Sequence, residues 1–120
     1  MPTRILVAED NVINQRIAQS LLTRRGHAVT VVNTGREALD ALQREPFDVV
    51  LMDVQMPDMD GFEATAAIRE WERESGSRVR IVAMTAHAMV GDRERCLAAG
   101  MDGYLPKPID QRALYDAVEE

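Results

Sequence analysis

The sequence predicts an α/β fold, a doubly wound parallel sheet with helices on both faces, on three observations. Apolar runs alternate with amphipathic segments five times, the pattern of successive βα units. The runs Ile5-Leu6-Val7-Ala8 and Val49-Val50-Leu51-Met52 are apolar throughout, as strands covered on both faces are. The chain has 120 residues, 46% hydrophobic and 28% charged, which fits one domain with a single core spanning residues 1–120.

The strands are read at 4–8, 28–33, 49–53, 80–85 and 103–106. In the first helical segment Ile13, Ile17 and Leu21 recur every four residues, predicting an inward apolar stripe that closes at Arg25-Gly26. Thr34 and Glu37 have capping-box spacing and open the second helix. The third helical segment runs from about Gly61 to Ser75 and ends in Ser75-Gly76-Ser77, with Trp71 expected to pack on the sheet. A fourth, from about Met89, stops at Gly100. Asp110 should cap the last helix, which carries Leu114 and Val118 inward.

Composition excludes several classes. The net charge of −6 disfavours a phosphate-backbone ligand, and Arg24-Arg25 and Arg93-Glu94-Arg95 read as solvated helix faces. No apolar stretch approaches the length needed to span a bilayer, so no membrane contact is expected. One cysteine, Cys96, excludes an internal disulfide and fits a reducing compartment; with no leader visible in Met1-Pro2-Thr3-Arg4, the expected location is cytoplasmic. Arg95-Cys96-Leu97-Ala98 places that thiol as a small helical core residue, and His27, beside Gly26, reads as a loop residue.

The chemistry lies at the strand ends. Glu9-Asp10 follows the first strand, Asp53 the third, Thr85 the fourth and Lys107 the fifth. An acidic residue between strand and helix is in isolation an N-cap. With strand order 2-1-3-4-5, however, the ligand-binding crevice opens between strands 1 and 3, and all five side chains meet at its edge. Carboxylates about 4 Å apart repel by roughly 4 kcal/mol at an effective dielectric near 20, so the cluster calls for a cation. An oxygen-only set with open positions suits Mg²⁺ (or Mn²⁺). A carboxylate can also attack phosphorus to form an aspartyl phosphate when metal, Lys and hydroxyl neutralise the moving oxygens; Asp53, facing Lys107 and Thr85, is placed for that.

These residues in this order resemble the response regulator receiver domain, the phospho-acceptor module of two-component signalling. The likeness rests on Ile5-Leu6-Val7-Ala8-Glu9-Asp10-Asn11, on Leu51-Met52-Asp53-Val54-Gln55-Met56-Pro57-Asp58-Met59-Asp60-Gly61, on Met84-Thr85-Ala86 and on Tyr104-Leu105-Pro106-Lys107-Pro108, and spans nearly the whole chain. It implies a flavodoxin-like five-stranded fold and phosphorylation on Asp53. It implies Mg²⁺ held by Asp10, Asp53 and the backbone carbonyl of Gln55, with Glu9 assisting, and phosphoryl oxygens met by Thr85 and Lys107. The Lys107-Pro108 bond would be cis, aiming the lysine. Thr85 and Tyr104 would form the switch that alters the surface of helix 4, strand 5 and helix 5, and Gln55 and His87 would tune the phosphoryl lifetime.

The segments Thr85-Ala86-His87-Ala88-Met89 and Gly91-Asp92-Arg93-Glu94-Arg95-Cys96 look most like receivers attached to hybrid sensor kinases. The implied partners are a sensor histidine kinase, in the same polypeptide or another, and a histidine phosphotransfer domain; a phosphorylation-dependent dimer is also open. Two alternatives compete. A haloacid dehalogenase-type phosphatase shares the strand-end aspartate and Mg²⁺, but has a second acid two residues on, where this chain has Gln55. A receiver-like interaction module without phosphorylation would not need the complete set Asp10, Asp53, Thr85 and Lys107. A dinucleotide-binding turn is absent after strand 1, since Glu9-Asp10-Asn11-Val12-Ile13-Asn14 contains no glycine.

Overall fold

The structure is a computed structural model that describes residues 3–56, 59–86 and 92–119. Its elements alternate strictly: β1 (Arg4–Ala8), α1 (Val12–Arg24), β2 (Ala28–Val32), α2 (Gly35–Arg44), β3 (Val49–Asp53), α3 (Gly61–Ser75), β4 (Arg80–Thr85), α4 (Asp92–Ala98), β5 (Gly103–Pro106) and α5 (Gln111–Glu119). The five strands pair in parallel in the order β2-β1-β3-β4-β5, the doubly wound, flavodoxin-like arrangement expected.

Side-chain alternation divides the core in two. In β1, β3 and β4, Leu6, Ala8, Val50, Met52, Ile81 and Ala83 point to the face covered by α2, α3 and α4, where they meet Ala38, Leu42, Ala64, Ile68 and Cys96. Their neighbours Ile5, Val7, Val49, Leu51, Val82 and Met84 point to the face covered by α1 and α5 and meet Ala18, Leu22, Leu114 and Val118. Every residue of β3 is buried, so the strand carrying Asp53 is the best-covered in the sheet.

Most local signals act as read. Thr34 accepts the Glu37 N–H, although the Glu37 carboxylate returns to the N–H of Asn33 rather than of Thr34. Asp60 and Glu63 close a complete capping box on α3. Asp110 accepts the Ala113 N–H, and Gly100 ends the fourth helix with φ of 103°. Trp71 packs against the core and Cys96 is buried within it.

One expectation fails. The stripe Ile13, Ile17, Leu21 is not the buried face of α1: Ile13 and Ile17 are 69% and 41% exposed, while Ala18 and Leu22 are fully buried. The helix carries two candidate stripes one residue apart, and close approach to the sheet selects the one with the small Ala18 over the one with β-branched isoleucines. His27 lies in the loop between α1 and β2, as read, and is tied down there. Its ring is mostly buried, Nδ1 accepting the Thr3 N–H and Nε2 lying 2.9 Å from Glu119 of α5.

Candidate functional site

The chain winds one way from β1 to β2 and the other way from β3 onward, so a crevice opens above the carboxyl ends of β1 and β3. Backbone bonds carry the frame past the strand ends. The Glu9 N–H donates to Val32 O, Val54 N–H to Met84 O and Lys107 N–H to Thr85 O, at 3.1, 3.1 and 2.8 Å. The loops bearing the acidic, hydroxyl and cationic side chains thereby keep the register of the sheet.

Glu9, Asp10 and Asp53 each bring a carboxylate oxygen into a group whose members lie within 4.8 Å of one another. Glu9 is 1% exposed and Asp53 4%, whereas Asp10 is exposed. Asp10 does not cap α1: Asn11 does, its side chain accepting the Asn14 N–H. Glu9 Oε2 accepts the Asn11 N–H at 3.0 Å, and Asp53 Oδ1 accepts the Gln55 N–H at 3.1 Å.

Lys107 Nζ lies between the two buried acids, 2.8 Å from Glu9 Oε1 and 3.1 Å from Asp53 Oδ2. Among the described residues this ammonium is the one group against Glu9 Oε1, which leaves that oxygen a lone pair to offer. Burial raises the Glu9 pKa, opposed by Lys107 and reinforced by Asp53. Burial alone would lower the Lys107 pKa, but its pairing with Glu9 and Asp53 outweighs that and the net shift is upward. Among the described residues one ammonium thus faces a group of three carboxylates, which leaves the group short of positive charge. Oxygen donors, a buried acceptor with spare capacity and an open side at Asp10 fit a hard cation such as Mg²⁺.

The second wall is equally fixed. A Cβ on Gly61 would stand 2.5 Å from the Asp53 carbonyl oxygen and 2.8 Å from Val54 Cα, so α3 begins hard against the strand carrying Asp53. Thr85 is buried at the end of β4, and with Val54, Gln55, Asp60, Phe62, Arg95 and Cys96 it lines a cavity of about 210 Å³. Arg95 stacks 4.8 Å over the Phe62 ring across this cavity, a contact that its solvated-face reading missed. Tyr104 is half-buried on β5 and packs against the side of the core beneath α2 to α4. The Lys107-Pro108 bond is cis. His87 lies outside the described residues.

The response regulator receiver domain profile matches residues 5–119. The chain belongs to the response regulator receiver family. It is a receiver domain of two-component signalling whose acidic group, Glu9, Asp10 and Asp53, is that of phosphorylatable receivers. It is 45% identical over 123 residues to hybrid signal transduction histidine kinase I of Dictyostelium discoideum, an alignment covering 98% of this chain and 7% of that kinase. The receiver thus spans a small fraction of that relative's length. Among solved structures it resembles the receiver domain of the sensor histidine kinase PA1611 from Pseudomonas aeruginosa, at 40% identity and a TM-score of 0.85 with both chains fully covered; that protein holds a magnesium ion in its active site cleft. It also resembles the receiver of Saccharomyces cerevisiae Ssk1, which was crystallised with the histidine phosphotransfer protein Ypd1, at 32% identity and a TM-score of 0.93, covering 98% of this chain and 86% of that one. Among the described residues no helix is long and apolar enough to cross a membrane.

Proposed function

We propose that residues 1–120 act as one phospho-acceptor domain: Asp53 takes a phosphoryl group from a phosphohistidine, and the modified domain changes the surface made by α4, β5 and α5. The observation that carries this reading is the setting of Asp53. Its carboxylate stands at the end of a wholly buried strand, with one oxygen on a backbone N–H and the other against the Lys107 ammonium. An Asp53 oxygen attacks phosphorus as the bond from phosphorus to the donor imidazole breaks. Lys107, already spanning Glu9 and Asp53, follows the new negative charge, and the Thr85 hydroxyl donates to a phosphoryl oxygen.

Asp10, Asp53 and the Gln55 backbone carbonyl, assisted by Glu9, would hold Mg²⁺ (or Mn²⁺), which supplies countercharge to the phosphoryl oxygens. The charge deficit of the acidic group supports this role. Thr85 and Tyr104 form the switch. Tyr104 borders a cleft of about 560 Å³ together with Arg93, Leu97 and Asp116 of α4 and α5, so its ring has room to move as Thr85 is drawn to the phosphoryl group. Gln55 and His87 tune hydrolysis. The domain acts on its own side chain and is not an enzyme in the usual sense.

The phosphodonor is a sensor histidine kinase, in the same polypeptide or another, or a histidine phosphotransfer domain. Support comes from the exposed apolar residues of α1, Val12, Ile13 and Ile17, which begin two residues after Asp10 in the chain. Such a patch beside a reaction centre suits a protein donor that must bring its imidazole to Asp53. Intact-mass spectrometry with acetyl phosphate tests the chemistry. A Mg²⁺-dependent gain of one phosphoryl group, lost in Asp53→Asn, is the expected result; a gain that survives Asp53→Asn would overturn it.

A further inference from the structure

Asp10 is the exposed member of the acidic group, yet the peptide planes on both sides of it are fixed. On its carboxyl side, the Asn11 N–H donates to Glu9 Oε2 at 3.0 Å. On its amino side, the Glu9 carbonyl accepts a hydrogen bond from the side-chain amide of Gln15, one turn into α1. The same Gln15 nitrogen donates at 2.7 Å to Oδ1 of Asn33, just beyond β2, and the Asn33 N–H donates at 2.7 Å to Glu37 of α2. Both donors of the Gln15 amide are therefore used on acceptors, which fixes the amide orientation. With two peptide planes set, the Asp10 Cα–Cβ bond has one direction, from which the carboxylate reaches the acidic group.

We infer that Gln15 is a positioning residue for the metal site: by holding the Glu9–Asp10 peptide it aims the Asp10 carboxylate at the cation, and it joins the β1–α1 turn to the β2–α2 turn in doing so. The inference rests on the reading of Glu9, Asp10 and Asp53 as a Mg²⁺ site. Sequence spacing concealed it, because Asn33 is 18 residues away and a glutamine early in an amphipathic helix reads as a solvated residue.

Titration calorimetry of the metal-free protein with Mg²⁺ tests it. Gln15→Met keeps the side-chain length and helix preference but removes both donors. Its Mg²⁺ dissociation constant should rise about tenfold, the low end of the effect of losing an outer partner of a metal ligand. Asn33→Ala, which leaves the Gln15 bond to Glu9 in place, should stay within about twofold of wild type, and the metal-free unfolding temperatures of all three proteins should be similar. Gln15→Asn, one methylene too short to reach Glu9, repeats the measurement should Gln15→Met not fold. Equal Mg²⁺ affinity in wild type and the Gln15 variants overturns the inference while leaving the receiver reading intact, and equal losses in the Gln15 variants and Asn33→Ala overturn it in favour of a general tie between the turns. A wild-type protein that binds no Mg²⁺ overturns the metal-site reading and the inference with it.

Discussion

Lys107→Met removes the cation shared by Glu9 and Asp53 while keeping an unbranched side chain of similar length. At an effective dielectric near 20, contacts of 2.8 and 3.1 Å correspond to roughly 6 and 5 kcal/mol of attraction before the cost of dehydrating the ammonium. Breaking a buried pair by deleting one partner costs about 3 to 5 kcal/mol net. Lys107 is 16% exposed in its side chain, so the low end applies, about 3 kcal/mol. In a domain of this size that lowers the unfolding temperature by roughly 12 °C.

The deficit has a pH signature. Glu9 already has a raised pKa, and losing Lys107 raises it further. Lowering the pH towards the ordinary value of 4.5 then lets Glu9 take up a proton in the folded variant, relieving its repulsion with Asp53. Thermal unfolding by circular dichroism, metal-free at about pH 8 and again at about pH 5, should show the gap between wild type and variant narrowing as the pH falls. Added Mg²⁺ should raise the unfolding temperature of the variant more than that of wild type, since it restores the lost positive charge. A metal-free variant as stable as wild type at pH 8, or a gap that widens on acidification, would refute this electrostatic account.

Other outcomes follow from single contacts. Ile13→Asp and Ile17→Asp should slow phosphotransfer from a phosphohistidine protein about tenfold or more, as loss of an interface anchor does, while leaving phosphorylation by acetyl phosphate unchanged; parallel time courses with the two donors separate docking from chemistry. Gly61→Ala should destabilise the domain by about 1 to 3 kcal/mol and reduce acceptance by Asp53, since the new methyl meets strand backbone that cannot step aside; denaturant unfolding and mass gain read the two effects. Thr65→Val should be neutral or stabilising by up to about 1 kcal/mol in denaturant unfolding, because the buried Thr65 hydroxyl has no hydrogen-bond partner among the described residues. The Glu119 carboxyl is held at about 2 by hydrogen bonds from Arg25 and His27, below its ordinary 4.5, so its stabilisation is full above 4.5 and lost as the pH falls towards 2; the thermal-stability gap between wild type and Glu119→Gln should close over that interval.

The fold and the acidic site were legible because their signals are local. A run such as Val49 to Met52, apolar at every position and recurring in alternation with amphipathic segments, fits a strand covered on both faces, and an acid directly after such a strand emerges at the sheet edge. Whole-chain alternation then placed Glu9, Asp10, Asp53, Thr85 and Lys107 together before any distance was known. What escaped depends on choices that periodicity does not decide. In α1 the isoleucine stripe and the Ala18–Leu22 stripe are both helical, and only the space above the sheet selects between them.

Long-range polar links escaped for another reason: nothing in the spacing announces them. Arg69 of α3 donates to Gly100 O, Val79 O, Glu72 and Asp102, tying α3 to the turns before β4 and β5. Glu119 meets Arg25 and His27, 94 and 92 residues earlier, and Arg25 also stacks 4.5 Å over Tyr115.

Borohydride trapping identifies the residue that carries the phosphoryl group. The reagent reduces an aspartyl phosphate to homoserine, and peptide mass mapping then locates the change. Homoserine is expected at position 53 in Mg²⁺ and acetyl phosphate, and absent without either. Homoserine at Asp10 or another acidic position, with Asp53 unmodified in a protein that has gained a phosphoryl group, would contradict it.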